Sequence, residues 1–525
     1  MYNIIPQPVS IVTSRDKKGF TLHAGTTLTP CPFADFFISF VRKALNKKVR
    51  VSEYNGEEKA IVLVTDDSIE HREGYKIKCE NRRVFINAKT EAGHFYGLCT
   101  LMQMLKQTEG KLPYTEITDY PRFEYRGYLL DVGRYFYSVE DVKRIVDLLA
   151  LHKVNVLHWH LTEDQGWRVE IKKYPLLTQK GSKRAHTNFN HTPHGGFYTQ
   201  EEIKEIVAYC HQRQMKVIPE FDVPGHCVSA IACYPYLSCL DRALPVATHW
   251  GVKHDILCAG KESTYQFVFD VLDELMELFD DKIIHIGGDE AVKMRWEICP
   301  HCQKLMKEQG IKTEDELQMY FMTRVGDYLK EHGFSAIMWN YNAIGGAQRL
   351  SPDIAWTVCG VSKDSEEFKR ELTRGRRMIN TSAFPYYLDL PYGWNSLKKV
   401  CNFSPSLTDN DEDTWGVEGC MWTEYVPNMK RLEFLTFPRM GAIAEAAWAQ
   451  ADYPSFSTFL HKAQDYYSLL DIYSVRYAKL KKACPSFLYK HGSSIWFKRR
   501  VFHWEGLHNL IDDKKAKKEA EKLKG

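Results

Sequence analysis

No stretch of this chain is both long and apolar enough to serve as a membrane span, and neither sign of charge dominates it. The 70 basic and 67 acidic side chains leave a formal charge of +3, too weak a field to gather nucleic acid or an anionic membrane. Met1 to Val12 lacks the basic start, apolar core and small-residue cleavage site of a signal peptide, so export is not expected of the chain as given. A mature form that had lost its signal would read the same, which leaves the compartment open. The 14 cysteines follow no small-scaffold framework, and Cys99, Cys210 and Cys420 sit in apolar segments as buried thiols. Cys299-Pro300-His301-Cys302 is a lone C-x-x-C with no second pair near it, which favours a structural or surface turn over zinc. A G-x-G-x-x-G after the first strand of the strand–helix region is also missing, and with it the main support for a doubly wound sheet.

What is present is a chain of 525 residues, too long for one ordinary core. Residues 1–120 read as a small α+β domain, with strands at Ala60 to Thr65, Gly74 to Cys79 and Arg83 to Ala88. A helix over Glu91 to Lys106 carries Phe95, Leu98, Leu101, Met102 and Leu105 at helical spacing. The pattern changes around Asp119-Tyr120-Pro121-Arg122. Residues 121–470 then alternate strand and helix. Residues 471–525 are expected to be helical or irregular, with Lys514-Lys515-Ala516-Lys517-Lys518 as a solvated helix end.

Strand-like runs fall at Tyr125 to Val132, Val154 to Leu161, Lys216 to Asp222, Lys282 to Gly287, Ser335 to Trp339, Asp353 to Val358, Arg377 to Ser382 and Thr414 to Met421. Capping signals open helices between them: Ser138 with Asp141, Thr199 with Glu202, and Thr313 with Glu316. Eight βα repeats predict a (β/α)8 TIM barrel.

In such a barrel the residues after each strand converge on one mouth. Reading the ends in order gives Arg126 and Asp131; His158, His160 and Asp164; Asp222 and His226; Asp289 and Glu290; then Trp339, Trp356, Tyr387 with Asp389, and Trp422 with Glu424. Asp289-Glu290 follows the run Ile283 to Ile286 and two glycines. Adjacent acids resist ionising together, so one is able to stay protonated beside a charged neighbour. An acidic pair after a strand also serves as a helix N-cap. Two chemistries fit the mouth. His158 and His160 on one strand face, with His226, His285 and Asp289, would suit a metal-dependent amidohydrolase. Carboxylates among aromatic walls would suit a glycosidase, and the 12 Trp and 29 Tyr lean toward a sugar.

Four blocks then carry a resemblance. Arg126-Gly127 with Leu130 to Phe136, His158-Trp159-His160-Leu161 with Asp164-Gln165-Gly166-Trp167, Pro219 to His226, and His285 to Glu290 closely resemble the family 20 glycoside hydrolases, the β-N-acetylhexosaminidases. The likeness runs from Ile5-Pro6-Gln7-Pro8 to about Trp448 and fades over the last 70 or so residues.

The resemblance implies a retaining exo-enzyme in which the 2-acetamido group of the substrate is the nucleophile, with no metal or other cofactor. It implies Glu290 as general acid and then base, and Asp289 as the carboxylate that orients the acetamido group and stabilises an oxazolinium ion. Tyr387 would bind the acetamido oxygen, and Trp339, Trp356 and Trp422 would wall its methyl. Arg126, Asp389 and Glu424 would clamp the outer hydroxyls, and Asp164 and His226, with Asp222 nearby, would support Glu290 from behind. His158, His160 and His285 would be scaffold. Asn340 stands where many relatives carry an acid, which leaves the aglycone side open. The expected partner is a glycan ending in β-linked GlcNAc, or GalNAc; a 6-sulfo-GlcNAc hydrolase or a lacto-N-biosidase are the alternatives within the family. Oligomeric state is not legible.

Overall fold

The eight apolar runs close into a parallel barrel: β1 (Tyr125–Asp131), β2 (Val156–His160), β3 (Lys216–Glu220), β4 (Ile283–His285), β5 (Ser335–Trp339), β6 (Ala355–Val358), β7 (Met378–Asn380) and β8 (Gly416–Met421). β8 closes on β1, with Arg126 opposite Val417 and Leu130 opposite Met421. The computed structural model describes residues 2–524 except 15–16, 188–191, 341–345, 361–364, 451–454 and 501–505, and in helices also leaves out the side chains of 493–494, 496–500, 506–509 and 520–524. The strands are apolar throughout because helices cover the outside and side chains fill the inside. Helices Val139–Ala150 and Gln200–His211 open on the capping boxes of Ser138 with Asp141 and Thr199 with Glu202, and Thr313 caps Glu314–Glu331. The helix after β4 starts at Met294 with Lys293 as its cap, so Asp289 and Glu290 are not N-cap residues.

Alternation along the strands sorts the interior. Tyr125, Val156, Ile218, Ile337, Ala355 and Ile379 form an apolar cluster inside the barrel. Two residues further along their strands, His158, Glu220 and Thr357 share the same inward face, joined there by His285 and Glu418. Leu129, Trp339, Cys420 and Trp422 pack together nearer the mouth.

Residues 1–120 build a mixed sheet in the order Ser10–Ser14, Tyr114–Asp119, Tyr75–Glu80, Arg83–Ala88, Ala60–Thr65, Thr27–Leu28, Arg50–Val51. Helix Glu91–Gln107 is buried along most of its length, because it lies between this sheet and the barrel. The outer strands and helix Ala34–Leu45 escaped the sequence reading; two of these strands are only two residues long and carry no periodicity.

One expected site residue sits in this interface. Arg126 is the second residue of β1, at the end of the barrel opposite the mouth. Its guanidinium is 2% exposed and pairs with Glu73 at 2.8 Å, between the rings of Tyr96 and Trp448. Lys153 and Asp119, both fully buried, pair beside it at 2.8 Å, and Trp448 Nε1 donates to Asp119 at 3.0 Å. Arg126 therefore fastens the first domain to the barrel and cannot reach a ligand at the mouth. At the other end of the chain, helix Gly506–Lys524 keeps its lysines exposed as expected but docks its acidic face. Asp512 pairs with His249 at 3.0 Å, and Glu519 with Arg295 at 2.8 Å.

Arg126→Met leaves Glu73 buried against an apolar neighbour and is expected to cost on the order of 3–5 kcal/mol. Equilibrium denaturation should show the loss while KM of the folded enzyme stays unchanged. A raised KM at unaltered stability would instead return Arg126 to the mouth.

Candidate active site

Beyond β4 the chain must turn sharply, and Gly287 and Gly288 do so at φ of 62° and 97°. A side chain on Gly287 would fall 1.8 Å from Asp222 Oδ1, so the position requires glycine for space as well. Asp222 reaches across and accepts the Gly288 N–H at 3.0 Å. The turn delivers Asp289 and Glu290 to the mouth. Glu290, at φ 46°, and His226, at φ 52°, face one another with Nε2 3.5 Å from Oε2. Two non-glycine residues held in the left-handed region, in mutual contact, mark backbone strain at this point.

Behind His226 stands Glu163, 2.8 Å from Nδ1, while Asp164 is 3.7 Å away. The expected supporting acid is thus displaced by one residue. Thr162–Glu163 pairs with Gly166–Trp167 in a short hairpin, and its alternation aims Glu163 at the mouth. Asp164 turns the other way and accepts the Val228 N–H at 3.0 Å. Glu163 also pairs with Arg134 at 3.0 Å and His160 at 3.2 Å.

Arg134 is the arginine of the mouth. It lies 3.3 Å from Asp131 and 3.8 Å from Glu424, and its guanidinium covers the Trp422 ring at 5.0 Å. Asp389 is buried; desolvation, then the charge of Glu424, raises its carboxyl well above the usual range, and Arg134 opposes this. Strand polarity separates the two arginines: Arg126 precedes the core of β1, whereas Arg134 follows its C-terminal end.

Trp339, Trp422 and Tyr387 form the aromatic side of the mouth, with ring centroids 5.6 Å apart for the tryptophans and 6.0 Å for Tyr387 with Trp422. Trp339 is fixed by donating Nε1 to Glu220 at 2.6 Å. Trp356 is not part of this wall. Thr357 points inward to His285, so its neighbour points outward, where Arg376 covers the Trp356 ring at 4.7 Å. Cys359, beyond the end of β6, packs against the cluster in its stead. Asn340 is fully buried and turns back to accept the Cys359 N–H at 3.2 Å.

His158, His160 and His285 lie inside the barrel on shared carboxylates. His158 contacts Glu418 at 3.0 Å and Glu220 at 3.2 Å, His160 pairs with Glu220, and His285 lies 3.1 Å from the same group. Burial alone would lower His158, but Glu418 and then Glu220 outweigh it and lift the imidazole to about 9. These contacts make the histidines a charge-compensated layer beneath the mouth, as the scaffold reading expected.

The adjacent acids are pushed apart, in a sense opposite to their expected roles. Burial, with the charges of Glu290 and Glu220, raises Asp289 to about 6, against the pull of His226. Burial would raise Glu290 too, but its contact with the His226 imidazolium, and then Arg134, hold it below the usual range. Asp289 Oδ1 is buried and has no hydrogen-bond partner among the described residues.

Asp289 is held above its ordinary 3.8 in the folded chain, so its contribution to stability is full at low pH and is lost as pH rises toward about 6. Asp289→Asn should therefore stabilise the protein at pH 7.5, by up to about 3 kcal/mol, with the gain vanishing near pH 4. Thermal unfolding across this range checks it; a variant no more stable than the parent at pH 7.5 contradicts the strain assigned to this carboxylate.

Comparison with known proteins places the geometry in context. The family model described as glycosyl hydrolase family 20, catalytic domain, matches residues 123–451, and that for domain 2 of the same family matches residues 1–120. A Porphyromonas gingivalis beta-hexosaminidase is 36% identical over 504 residues, 90% of this chain and 64% of that one. The chain thus spans just under two thirds of that relative's length. An Akkermansia muciniphila beta-hexosaminidase is 32% identical over 428 residues, covering 78% of this chain and 86% of its own. Among solved structures, a Vibrio harveyi exo beta-N-acetylglucosaminidase in complex with N-acetylglucosamine superposes with a TM-score of 0.80 at 29% identity, covering 91% of this chain and 78% of that one. A Streptomyces plicatus N-acetyl-beta-hexosaminidase bound to Thio-NAglucal gives 0.80 at 28% identity, over 91% of this chain and 96% of its own.

Proposed function

The chain belongs to glycosyl hydrolase family 20, and from that premise we propose that it is a retaining exo-β-N-acetylhexosaminidase that removes terminal β-linked GlcNAc, or GalNAc, with the sugar's own acetamido group as nucleophile. The observation that carries the reading is the unequal treatment of two neighbouring acids. Asp289 presents a buried oxygen with no partner among the described residues, suited to an acetamido N–H, while Glu290 stands on His226 at the open side.

In this scheme Trp339, Trp422 and Cys359 enclose the acetamido methyl, and Tyr387 donates its hydroxyl to the acetamido oxygen. That oxygen is thereby held against the anomeric carbon, so an encounter from solution is replaced by placement. Glu290 gives its proton to the departing glycosidic oxygen, and then takes one from the water that opens the oxazolinium ion. Asp289, ionised, stabilises the positive charge of that ring. Arg134, Asp389 and Glu424 hold the outer hydroxyls, and a sugar gripped there has no room to continue as a chain, which gives exo action. Glu163 and His226 position Glu290.

The proton must therefore move on binding. In the free enzyme the pair holds one proton, resident on Asp289. An amide N–H donated to Asp289 favours its ionised form, while the aglycone covers Glu290, whose side chain is 38% exposed, and raises it. Either way the pair needs its one proton, and the free enzyme loses it as pH rises through about 6. For substrates with poor leaving groups, kcat/KM should fall above about pH 6. Activated aryl glycosides should be much less affected, and a profile for the poor leaving groups that is flat from pH 5 to 8 would oppose the shared proton.

Substrate assistance itself is tested by leaving group and by substrate. Glu290→Gln should reduce turnover of natural-type glycosides by about 10²–10⁴-fold and of activated aryl glycosides far less. A matched substrate with a plain 2-hydroxyl should be essentially inert. Cleavage of that substrate at the rate of its N-acetyl twin would overturn the proposal, and a panel of GlcNAc, GalNAc and sulfated aryl glycosides fixes the sugar.

A further inference from the structure

The C-x-x-C that spacing left as a turn does not stand alone in the fold. Cys299 and Cys302 meet Cys239 and Cys258 so that one sulfur from each residue lies within 4.8 Å of all the others. The Sγ separations are 3.6 Å for Cys258 with Cys302, 3.7 Å for Cys258 with Cys299 and 3.9 Å for Cys239 with Cys302. A tetrahedral tetrathiolate with metal–sulfur bonds of about 2.3 Å has edges of about 3.8 Å, so the cluster already has the size of a coordination shell. All four are free cysteines, and a disulfide, with sulfurs about 2.0 Å apart, would satisfy only two of them.

We propose that Cys239, Cys258, Cys299 and Cys302 hold one structural zinc ion. The backbone prepares both halves. Cys299 caps helix Pro300–Glu308 and Cys302 lies in its first turn, where the helix dipole favours thiolate. Cys258 and Cys239 are brought together by the Ser238–Leu257 bridge and by Cys258 N donating to Leu237 O at 2.8 Å. Gly260 packs so closely on the other half that a side chain would lie 2.2 Å from the His301 carbonyl carbon. Three of the sulfurs belong to buried residues, and Cys239 to a half-buried one. Four soft ligands in tetrahedral array suit zinc or iron, and zinc is chosen because nothing around the cluster serves electron transfer.

The ion would join two loops of the active site. Residues between β3 and helix Glu262–Leu278 carry His226 and supply Cys239 and Cys258; residues after β4 carry Glu290 and supply Cys299 and Cys302. Leu257 links the two beside the cluster, donating its N–H to Pro224 O at 2.9 Å and accepting Trp296 Nε1 at 2.9 Å. Zinc here fixes the distance between His226 and Glu290 from behind, without touching substrate.

Elemental analysis of protein purified without added metal tests this independently of any glycosidase assay. One zinc per chain, retained through dialysis against a chelator, is expected, and four thiols should become reactive only when chelator is combined with denaturant. Cobalt reconstitution should give the visible absorption of a tetrahedral tetrathiolate. The double variant Cys299→Ser/Cys302→Ser should lose the zinc and unfold at lower temperature, whereas Cys233→Ser, outside the cluster, should keep it. Folded parent protein with no bound zinc, or with iron in its place, overturns the proposal whether or not the double variant folds. Zinc retained at full occupancy by a folded double variant does so as well.

Discussion

At the axis of the barrel one carboxylate, Glu220, collects partners from three other strands. His160 pairs with it, His158 and His285 lie 3.2 Å and 3.1 Å away, and Trp339 donates its indole N–H at 2.6 Å. The group is fully buried. Desolvation would push its carboxyl upward, yet the charges of His160, His285 and His158 prevail and hold it well below the usual carboxylate range. Interactions of this kind gain strength from the same low dielectric that would make an unpaired charge intolerable, so strand register at the mouth is set sharply. Trp339 is the visible consequence. An indole that packing alone would leave free to rotate is pinned by a hydrogen bond, and the aromatic wall beside Tyr387 inherits that fixity.

Above this layer the mouth is built from unequal charges. Arg134 and the His226 imidazolium face Glu163, Glu290 and Glu424, while Asp289, Asp222 and Asp389 are raised because burial outweighs their cationic neighbours. The site therefore stores protons on some carboxylates and charge on others within a few ångströms. A substrate amide and a substrate hydroxyl then redistribute them by hydrogen bonding alone. Such a site is less stable than an apolar filling of the same volume would be, and activity is the reason to keep it.

How much of this was legible depended on the range over which each signal acts. Strands buried on both faces announce themselves locally, so all eight were found, and the run ending at Asp289-Glu290 located the site. The errors lie where one further geometric step was needed. Arg126 and Arg134 flank the same strand, and only its direction tells which reaches the mouth. Trp356 and Glu163 each turn on the phase of a two-residue alternation, inward or outward, which apolar composition does not reveal when both faces are buried. Cys239 and Cys258 acquire meaning only beside Cys299 and Cys302, a juxtaposition produced by tertiary folding. The docked acidic face of helix Gly506–Lys524 is of the same kind, since its sequence describes a solvated helix equally well.

These differences of range also separate the two acids. Asp289 leaves a glycine turn seated directly on Asp222 and the barrel, so its position follows from the core. Glu290 lies one residue further and depends on two loops meeting, with both it and His226 in left-handed backbone that costs on the order of 1–3 kcal/mol each. A strained contact persists only when its surroundings over-determine it. Here Glu163 holds His226 from one side, Trp296 ties Leu257 from the other, and Arg295 is drawn to Glu519 of the last helix. Disturbance far out on these loops should therefore reach proton transfer before it reaches the acetamido pocket, because the groups that move the proton are supported by loops and the groups that hold the nucleophile are supported by strands.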